Sequence, residues 1–279
     1  MLAQHGPIPL HWMPSAVHSV FSTQNAQQAA LAARFERLGA ARNYVGGPRF
    51  RARRLELPAD SGTTDQFRTD IWYRALVSKV THWAELAEQN VGKLLLCSDN
   101  DISLLPGWVD ALAWAFVDAG PVDVLFQREG GADAFFEPFP YNSGFFLMNG
   151  SAALGRFWRQ VAARTASERP FTGDQAVVNS LLMPRGWGDD DLRCDDPLGI
   201  RHAHFPPRLV RGGPTPPADA DELRAVRVHH ATASGSAQGK LDALDGFLAA
   251  WLAAHNLTRA ELALPPAGAA WTDSSALRT

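Results

Sequence analysis

Two acidic residues at the end of an apolar run are the feature of this sequence that best indicates chemistry. Residues 94–98 form the run, and Asp99 and Asp101 follow it, separated by Asn100. In an extended backbone, side chains two residues apart lie on one face, so both carboxylates are placed together at the carboxyl end of a strand. Carboxylate oxygens are hard ligands that suit Mn²⁺ or Mg²⁺, and such a cation can hold a diphosphate. The alternative is an acidic turn, because Ser, Asp and Asn are common turn residues.

The composition is that of an ordinary globular protein. The 279 residues, 46% hydrophobic and 20% charged, are enough for one large α/β domain. A net charge of -3 gives no general attraction to nucleic acid or to an anionic membrane, so neither is an expected partner. A basic cluster at residues 49–54 is interpreted as a solvated loop and edge strand.

The cysteines and the apolar segments bear on the compartment. Cys97 and Cys194 are the only cysteines in the sequence, and their spacing indicates neither a zinc site nor a disulfide framework. No apolar stretch reaches the ~20 residues needed to cross a bilayer, and the first 14 residues lack the features of a secretory signal. We therefore expect a cytoplasmic protein without a transmembrane segment.

The rest of the pattern alternates strands and helices. A long helix predicted over residues 64–89, with Thr63 or Thr64 as its cap, leads directly into the strand at 94–98. Because such a connection brings its two flanking strands parallel, a mostly parallel, Rossmann-like central sheet flanked by helices is expected. Other helices are predicted over 24–38, 108–119, 152–165, 173–182 and 241–255, other strands over 16–23, 50–57, 122–127, 144–148 and 225–229, and a long binding loop over 184–217. The single domain is expected to span 16–264, after an extension at 1–15 and before a tail at 265–279.

Three further segments carry polar residues in a recognisable order. They are Tyr141-Asn142-Ser143-Gly144-Phe145-Phe146, Thr172-Gly173-Asp174-Gln175, and His229-His230 with Gly235 and Lys240 downstream. Together with the acidic pair they resemble the nucleotide-diphospho-sugar transferases of the GT-A fold, especially glycosyltransferase family 77 and, more distantly, the glycogenin-like family 8. Those families have an Asp-x-Asp after a strand, an Asn-Ser/Thr-Gly-Phe segment, an Asp-Gln that leads a helix, and a late metal-binding His. The resemblance covers residues 68–240.

The resemblance implies a metal-dependent glycosyltransferase. It would move a sugar from a UDP- or GDP-sugar to an acceptor that the sequence does not identify, with retention of the anomeric configuration. Cleavage of the anomeric bond develops negative charge on the diphosphate and oxocarbenium character on the sugar. A cation and nearby basic groups offset the negative charge.

The metal ligands are assigned by the same resemblance. It implies that Asp101 binds Mn²⁺ or Mg²⁺ directly, that Asp99 shares the metal or holds the ribose, and that Asn100 is a variable middle position. The late His segment places His229 on the metal. His230 stays a candidate, because a strand sends adjacent side chains to opposite faces and one ligand is enough.

Either of these two histidines can instead be hydrogen-bonded at the edge of the core. A second pair, His202 and His204, ranks below them as candidate ligands.

The donor sugar would lie against the other two segments. The resemblance implies that Asn142, Ser143 and Gly144 line the sugar pocket, and that Asp174 and Gln175 lie under the donor sugar. One of the polar groups of Asp174, Gln175 or Asn142 would then stabilise the developing cation. The alternatives are a tight turn before the strand at 144–148 and, for Asp174, an ordinary helix cap or a partner of the helix dipole.

Five more residues are expected to contact the nucleotide. Lys79 would reach towards the donor and Lys240 would lie near the diphosphate, both by resemblance. A helix-surface charge is the alternative for Lys79. Ser22, Thr23 and Asn25 end the first strand, where the base and ribose would rest in this architecture.

Two other functions compete with sugar transfer. A metal-dependent phosphoesterase could use Asp189, Asp190 and Asp191 as extra carboxylates of a two-metal site, although a solvated loop is the favoured meaning of that triplet. The phosphoesterase also leaves the Asn-Ser-Gly and Asp-Gln segments without a role. A non-catalytic nucleotide-sugar binding module is the other alternative, because function resides in the site and not in the fold.

Overall fold

The computed structural model describes residues 14, 16–21, 26–40, 49–54, 69–129, 140–168, 173–183, 198–232, 236–262 and 264. Strands and helices alternate along most of these ranges. The strands are β1 (Ala16–Phe21), β2 (Arg49–Arg54), β3 (Leu94–Ser98), β4 (Ile102–Leu104), β5 (Val124–Arg128), β6 (Tyr141–Asn149), β7 (His202–His204), β8 (Val210–Gly212) and β9 (Val228–His230). The α-helices are α1 (Ala26–Ala40), α2 (Asp70–Gln89), α3 (Trp108–Asp118), α4 (Ala152–Ser167), α5 (Asp174–Leu182), α6 (Ala220–Ala225) and α7 (Ala237–Ala254), and a 3-10 helix follows at Ala260–Leu262.

Six strands form the central sheet in the order β2-β1-β3-β6-β5-β7. The pairs β1/β2, β1/β3 and β5/β7 are parallel, whereas β6 is antiparallel to both of its neighbours. The predicted mostly parallel α/β sheet is thus confirmed. Because β6 runs against β3, the start of β6 lies beside the end of β3, and the backbone N–H of Asp99 donates to the Gly144 carbonyl at 2.6 Å.

A small second sheet, in the order β4-β9-β8, positions the residues after the acidic pair. β4 pairs antiparallel with β9, in a register that sets Ile102 opposite His230 and Ser103 opposite His229. The backbone N–H of Ala231 donates to the Asp101 carbonyl at 3.0 Å. This register brings the end of β9 against the loop that carries the two acids.

The central sheet is covered on both faces, because successive residues of β3 point to opposite sides. Leu95 and Cys97 pack in a core with α2, α4 and α5. Leu94 and Leu96 pack in another core with α3. A third core surrounds α7, which contributes Phe247 among other residues, and also includes residues of α1 and α6.

A buried arginine ties α7 to the small sheet. Arg34 of α1 donates to the hydroxyl of Ser103 at 2.9 Å and to the Leu244 carbonyl at 3.1 Å. It also forms an ion pair with Asp245 at 3.2 Å. Since these partners lie on β4 and α7, the arginine fixes the position of the helix that carries Lys240.

Several predicted elements differ from the structure at their ends. The helix predicted from residue 64 begins at Asp70, where the side chain of Thr69 accepts a hydrogen bond from the backbone N–H of Trp72. The predicted caps Thr63 and Thr64 lie outside the described residues. The last strand is Val228–His230 instead of 225–229, because α6 occupies residues up to Ala225.

The segment predicted as a long loop over 184–217 also contains structure. Residues 198–217 hold β7 and β8, two strands of three residues each, and residues 184–197 lie outside the described part. The predicted extension, except for Pro14, and the predicted tail at 265–279 are likewise not described, so the domain limits stay predictions. Among the described helices, none is long and apolar enough to cross a membrane.

Candidate metal centre

Three potential ligand residues converge at the end of β3. One ligand atom from each of Asp99, Asp101 and His230 can be chosen so that all three atoms lie within 4.8 Å of one another. Asp99 and Asp101 lie between β3 and β4, and His230 is the last residue of β9. Asp101 and His230 are each only 3% exposed, so the group is mostly closed to solvent.

The structure corrects the choice between the two adjacent histidines. His229 points away from the acids, and its Nε2 donates to the Gly213 carbonyl at 2.8 Å. Its ring stacks on Phe247 with 3.8 Å between ring centroids and an interplanar angle of 8°. Only His230 faces the acids, because β9 presents one of its two faces to them. The geometry therefore does not support His229, the histidine that the resemblance placed on the metal.

Two lysines neutralise the acidic cluster. Lys240 Nζ lies 2.6 Å from Asp101 Oδ2. The long spacing between the His segment and this lysine therefore does not keep Lys240 away from the acids. Lys79 Nζ lies 3.2 Å from Asp99 Oδ1 and 2.9 Å from Asp174 Oδ2. Lys79 thus bridges two of the predicted site residues instead of standing on the helix surface.

These contacts set the charge states of the site. Burial alone would lower the pKa of Lys79, but the Asp174 and Asp99 carboxylates raise it above its ordinary value. Burial would raise the pKa of Asp101, but Lys240 and His230 hold it well below its usual range. The pKa of Asp99 is raised, chiefly by burial and partly by Asp101, against the opposing effect of Lys79.

The donor set fits a hard divalent cation. Asp101 Oδ1 lies 3.1 Å from His230 Nε2, yet it is buried and makes no aligned hydrogen bond within the described part of the chain. A buried carboxylate oxygen without such a bond is costly unless another positive partner approaches it. Two carboxylates and one imidazole are ligands that Mn²⁺ or Mg²⁺ accepts.

The predicted sugar-binding residues lie on the other side of Asp99. The hydroxyl of Ser143 donates to Asp174 Oδ2 at 3.0 Å. Asp174 is the first residue of α5, and Gly173 is the N-cap, so the capping alternative for Asp174 does not hold. The helix N-terminus nevertheless favours its negative charge. Gln175 follows it and is half-buried.

Asn142 and Gly144 shape the wall between the two halves of the site. Asn142 Oδ1 accepts a hydrogen bond from the Gly144 backbone N–H at 2.7 Å, and its Nδ2 donates to Glu129 in a very short contact. A Cβ on Gly144 would lie 2.5 Å from Asp99 Oδ2 and 2.7 Å from His230 Cε1. A side chain at position 144 would therefore displace two of the three potential ligands.

Two residues of the site were not found by sequence reasoning. Gln127 Oε1 lies 2.8 Å from His230 Nδ1, and Glu129 receives the Asn142 amide. The available signal was weak, since Gln127 and Arg128 form an ordinary polar end of a short apolar strand.

Other predicted residues fall outside this cluster. Ser22, Thr23 and Asn25 lie outside the described residues, as does the acidic triplet at 189–191. Asn100 is half-buried between the two acids. His202 and His204, the lower-ranked pair of candidate ligands, contact Tyr141 instead. His202 Nδ1 lies 2.8 Å from the Tyr141 hydroxyl, and the His204 ring stacks on the Tyr141 ring with 4.4 Å between ring centroids.

Comparisons of the sequence with known proteins give no match, either among family profiles or among curated proteins. Among solved structures, the chain is similar to a glycosyltransferase involved in the glycosylation of the major capsid of PBCV-1. The identity is 14% and the TM-score 0.49, over 82% of this chain and 99% of that one.

Two further similar structures are also glycosyltransferases. Mouse xyloside xylosyltransferase 1 in its apo form is 12% identical with a TM-score of 0.44, over 80% of this chain and 99% of that one. The galactosyltransferase LgtC with donor and acceptor sugar analogues is 14% identical with a TM-score of 0.41, over 87% and 96% of the two chains. Because all three TM-scores are below 0.5, the function is argued from the site itself.

Proposed function

We propose that this protein is a metal-dependent glycosyltransferase that takes its sugar from a nucleoside diphosphate donor. The observation that carries the proposal is the convergence of Asp99, Asp101 and His230 within 4.8 Å. Lysine ammonium groups pair with both acids, and the cluster lies at the carboxyl end of a strand in a mostly parallel sheet, where such folds bind ligands.

The ligand group and Lys240 would receive the diphosphate. Asp99, Asp101 and His230 would hold Mn²⁺ or Mg²⁺, which as a Lewis acid offsets negative charge on the leaving diphosphate. The Lys240 side chain is 37% exposed and approaches Asp101 from the edge of the cluster. It is placed to exchange this ion pair for a contact with a phosphate oxygen.

The other half of the site would hold the sugar. Lys79 and Ser143 both contact Asp174 and keep its carboxylate in place beside Asp99. A fixed carboxylate there stabilises positive charge that develops at the anomeric carbon. The neighbouring Gln175 would contact the same face of the sugar.

Asn142 has both ends of its amide engaged within the protein, so we assign it the task of fixing the Gly144 backbone. Retention of configuration remains part of the proposal, on the strength of the sequence resemblance.

Nucleoside diphosphate release tests the activity. The protein is incubated with a panel of UDP- and GDP-sugars, with Mn²⁺ or with a chelator, and the released UDP or GDP is measured over time. We expect release from one donor class with Mn²⁺ only. Asp101→Asn should lose at least about 100-fold, because a direct ligand matters more than groups that only hydrogen-bond to a ligand, whose loss costs roughly 10–100-fold.

Asp123→Asn is the matched control, since Asp123 pairs with Arg201 away from the site. Full release by the Asp101 variant, or release that does not depend on a divalent cation, would contradict the proposal.

Melting curves distinguish transfer from simple binding. A nucleotide that binds only the folded protein raises its melting temperature by mass action. We expect UDP or GDP to raise it more with Mn²⁺ than without, and Asp101→Ala to lose the Mn²⁺-dependent part. If a nucleotide stabilises the protein but no donor is ever cleaved, the binding-module function replaces the transferase.

A further inference from the structure

A glutamine behind the metal centre has a position that packing does not explain. Gln127 is fully buried near the end of β5, where the pairing with β6 shifts register between Phe126 and Gln127. Strand alternation puts Gln127 on the same side of β5 as Leu125, which packs in the core that includes Val228 of β9. Its Oε1 lies 2.8 Å from His230 Nδ1. An apolar residue would fill this buried position without any polar group to satisfy.

We propose that Gln127 is a positioning residue of the metal centre, which holds His230 with its Nε2 lone pair directed at the cation. The inference rests on the proposed metal site, and it concerns how that site is held together and not which donor it uses. The amide carbonyl accepts a hydrogen bond from the imidazole Nδ1–H.

The chemistry follows from the two nitrogens of the ring. A neutral imidazole carries one N–H, so a partner that can only accept at Nδ1 leaves Nε2 with its lone pair. Nε2 is the nitrogen that faces the acids, 3.1 Å from Asp101 Oδ1. Fixing the tautomer in this way is the usual task of a group that hydrogen-bonds to a metal-binding histidine.

The surroundings of the amide support this orientation. Gln127 Nε2 is buried and has no hydrogen-bond partner among the described residues. An amide nitrogen that is buried without a partner destabilises the fold, so the carbonyl end must provide something in return. Gly212 of β8 makes room for the amide, since a Cβ at that position would lie 2.8 Å from Gln127 Nε2.

The ring of His230 is also confined from its other side. A Cβ on Gly144 would come within 2.7 Å of His230 Cε1, so the ring lies directly against the glycine backbone. Gln127 and Gly144 together leave the imidazole little freedom to rotate. The ring therefore keeps one orientation before any cation arrives.

Mn²⁺ affinity measured without any nucleotide tests the inference. Free Mn²⁺ is followed by electron paramagnetic resonance during titration of wild type, Gln127→Leu, Gln127→Glu and the control Thr165→Val, which alters a buried hydroxyl of α4. We expect Gln127→Leu to weaken Mn²⁺ binding by about 10–100-fold. Gln127→Glu keeps an acceptor at the same place and should bind Mn²⁺ at least as well as wild type, and Thr165→Val should be unchanged.

Wild-type affinity in Gln127→Leu, or an equal loss in Gln127→Glu, would overturn the inference. So would a wild-type protein that binds no Mn²⁺. If Mn²⁺ binds as expected but no donor is cleaved, the proposed function fails while this inference stands.

The tautomer can be observed in the wild-type protein, which matters if Gln127→Leu does not fold. Nitrogen-15 spectra of the Mg²⁺-loaded protein, with the His230 signals assigned from His230→Gln, should show a proton on Nδ1 and none on Nε2. A proton on Nε2 with a bare Nδ1 would mean that the amide is turned the other way, and would overturn the inference.

Discussion

The two faces of β9 place the same residue type in opposite surroundings. His230 faces two carboxylates and a glutamine carbonyl, whereas His229 lies between a backbone carbonyl and the ring of Phe247. Both side chains are buried. The comparison shows that the side of a strand, and not the presence of a histidine in a motif, decides which residue can bind a metal.

The electrostatics of the two faces follow from this difference. Burial lowers the pKa of His229 to about 3, because no anion compensates for the lost solvation of a charged ring. Burial acts in the same direction on His230, but Asp101 and Asp99 outweigh it and raise its pKa above the ordinary value. One face therefore suits a cation and the other a neutral aromatic contact.

Replacing His230 should have the largest effect. His230→Gln keeps a polar side chain but loses the imidazole ligand, so we expect Mn²⁺ affinity to fall by about 100-fold or more. Removing a group that only hydrogen-bonds to a ligand costs less, roughly 10–100-fold. Isothermal titration of the nucleotide-free protein with Mn²⁺ measures this. Nearly unchanged affinity would mean that the acids alone hold the ion.

Replacing His229 tests whether the other face of β9 serves stability and not the metal. His229→Phe keeps an aromatic ring against Phe247 but leaves the partly buried Gly213 carbonyl without this donor. The free energy of unfolding should fall by about 1–3 kcal/mol in urea denaturation, with Mn²⁺ affinity unchanged. A loss of affinity as large as that of the His230 variant would show that both faces serve the metal.

Lys240 offers a smaller and more specific effect. Lys240→Met keeps most of the stem and removes the ammonium, so binding of UDP or GDP with Mn²⁺ should weaken by about 10-fold, as expected for one charge-assisted contact. Mn²⁺ alone should bind at least as tightly, because the cation that now pairs with Asp101 is gone.

Lys93→Met, which changes an exposed lysine before β3, is the control for charge. An unaltered nucleotide affinity in Lys240→Met would remove this lysine from the donor site.

Much of the fold could be predicted because long elements carry their own periodicity. The apolar face of α2 and the unbroken apolar run of β3 identify a helix and a buried strand from local sequence alone. The three-residue strands β4, β7 and β8 could not be identified in this way. So few residues have no period, and only pairing with distant strands defines them.

The candidate site also has a part that local sequence predicts and a part that only strand pairing defines. The spacing of Asp99 and Asp101 after an apolar run is local, so sequence alone indicates the acidic half of the centre. Which histidine joins them depends on the register between β4 and β9, which no local pattern encodes. The contact of Gln127 with His230 depends on where β9 lies against β5, which is equally invisible in the sequence.

Two histidines of β7 resemble His229, because burial lowers their pKa values too, and they predict a pH dependence of stability. Burial lowers the pKa of His202 to about 4 and, together with nearby Arg128 and His202, lowers that of His204 to about 3. An unfolded histidine titrates near 6.5, so below that pH the unfolded chain binds more protons than the folded one. The stabilisation is complete above pH 6.5 and is lost as the pH falls through 4.

Urea denaturation of the metal-free protein between pH 7 and 4.5, at constant ionic strength, measures the slope. The double variant His202→Gln, His204→Gln should lose less stability on acidification than wild type, because it lacks both titrating groups. A double variant that loses as much stability on acidification as wild type would show that these two rings take up protons in the folded state, and that the contrast between anionic and neutral surroundings does not extend beyond β9.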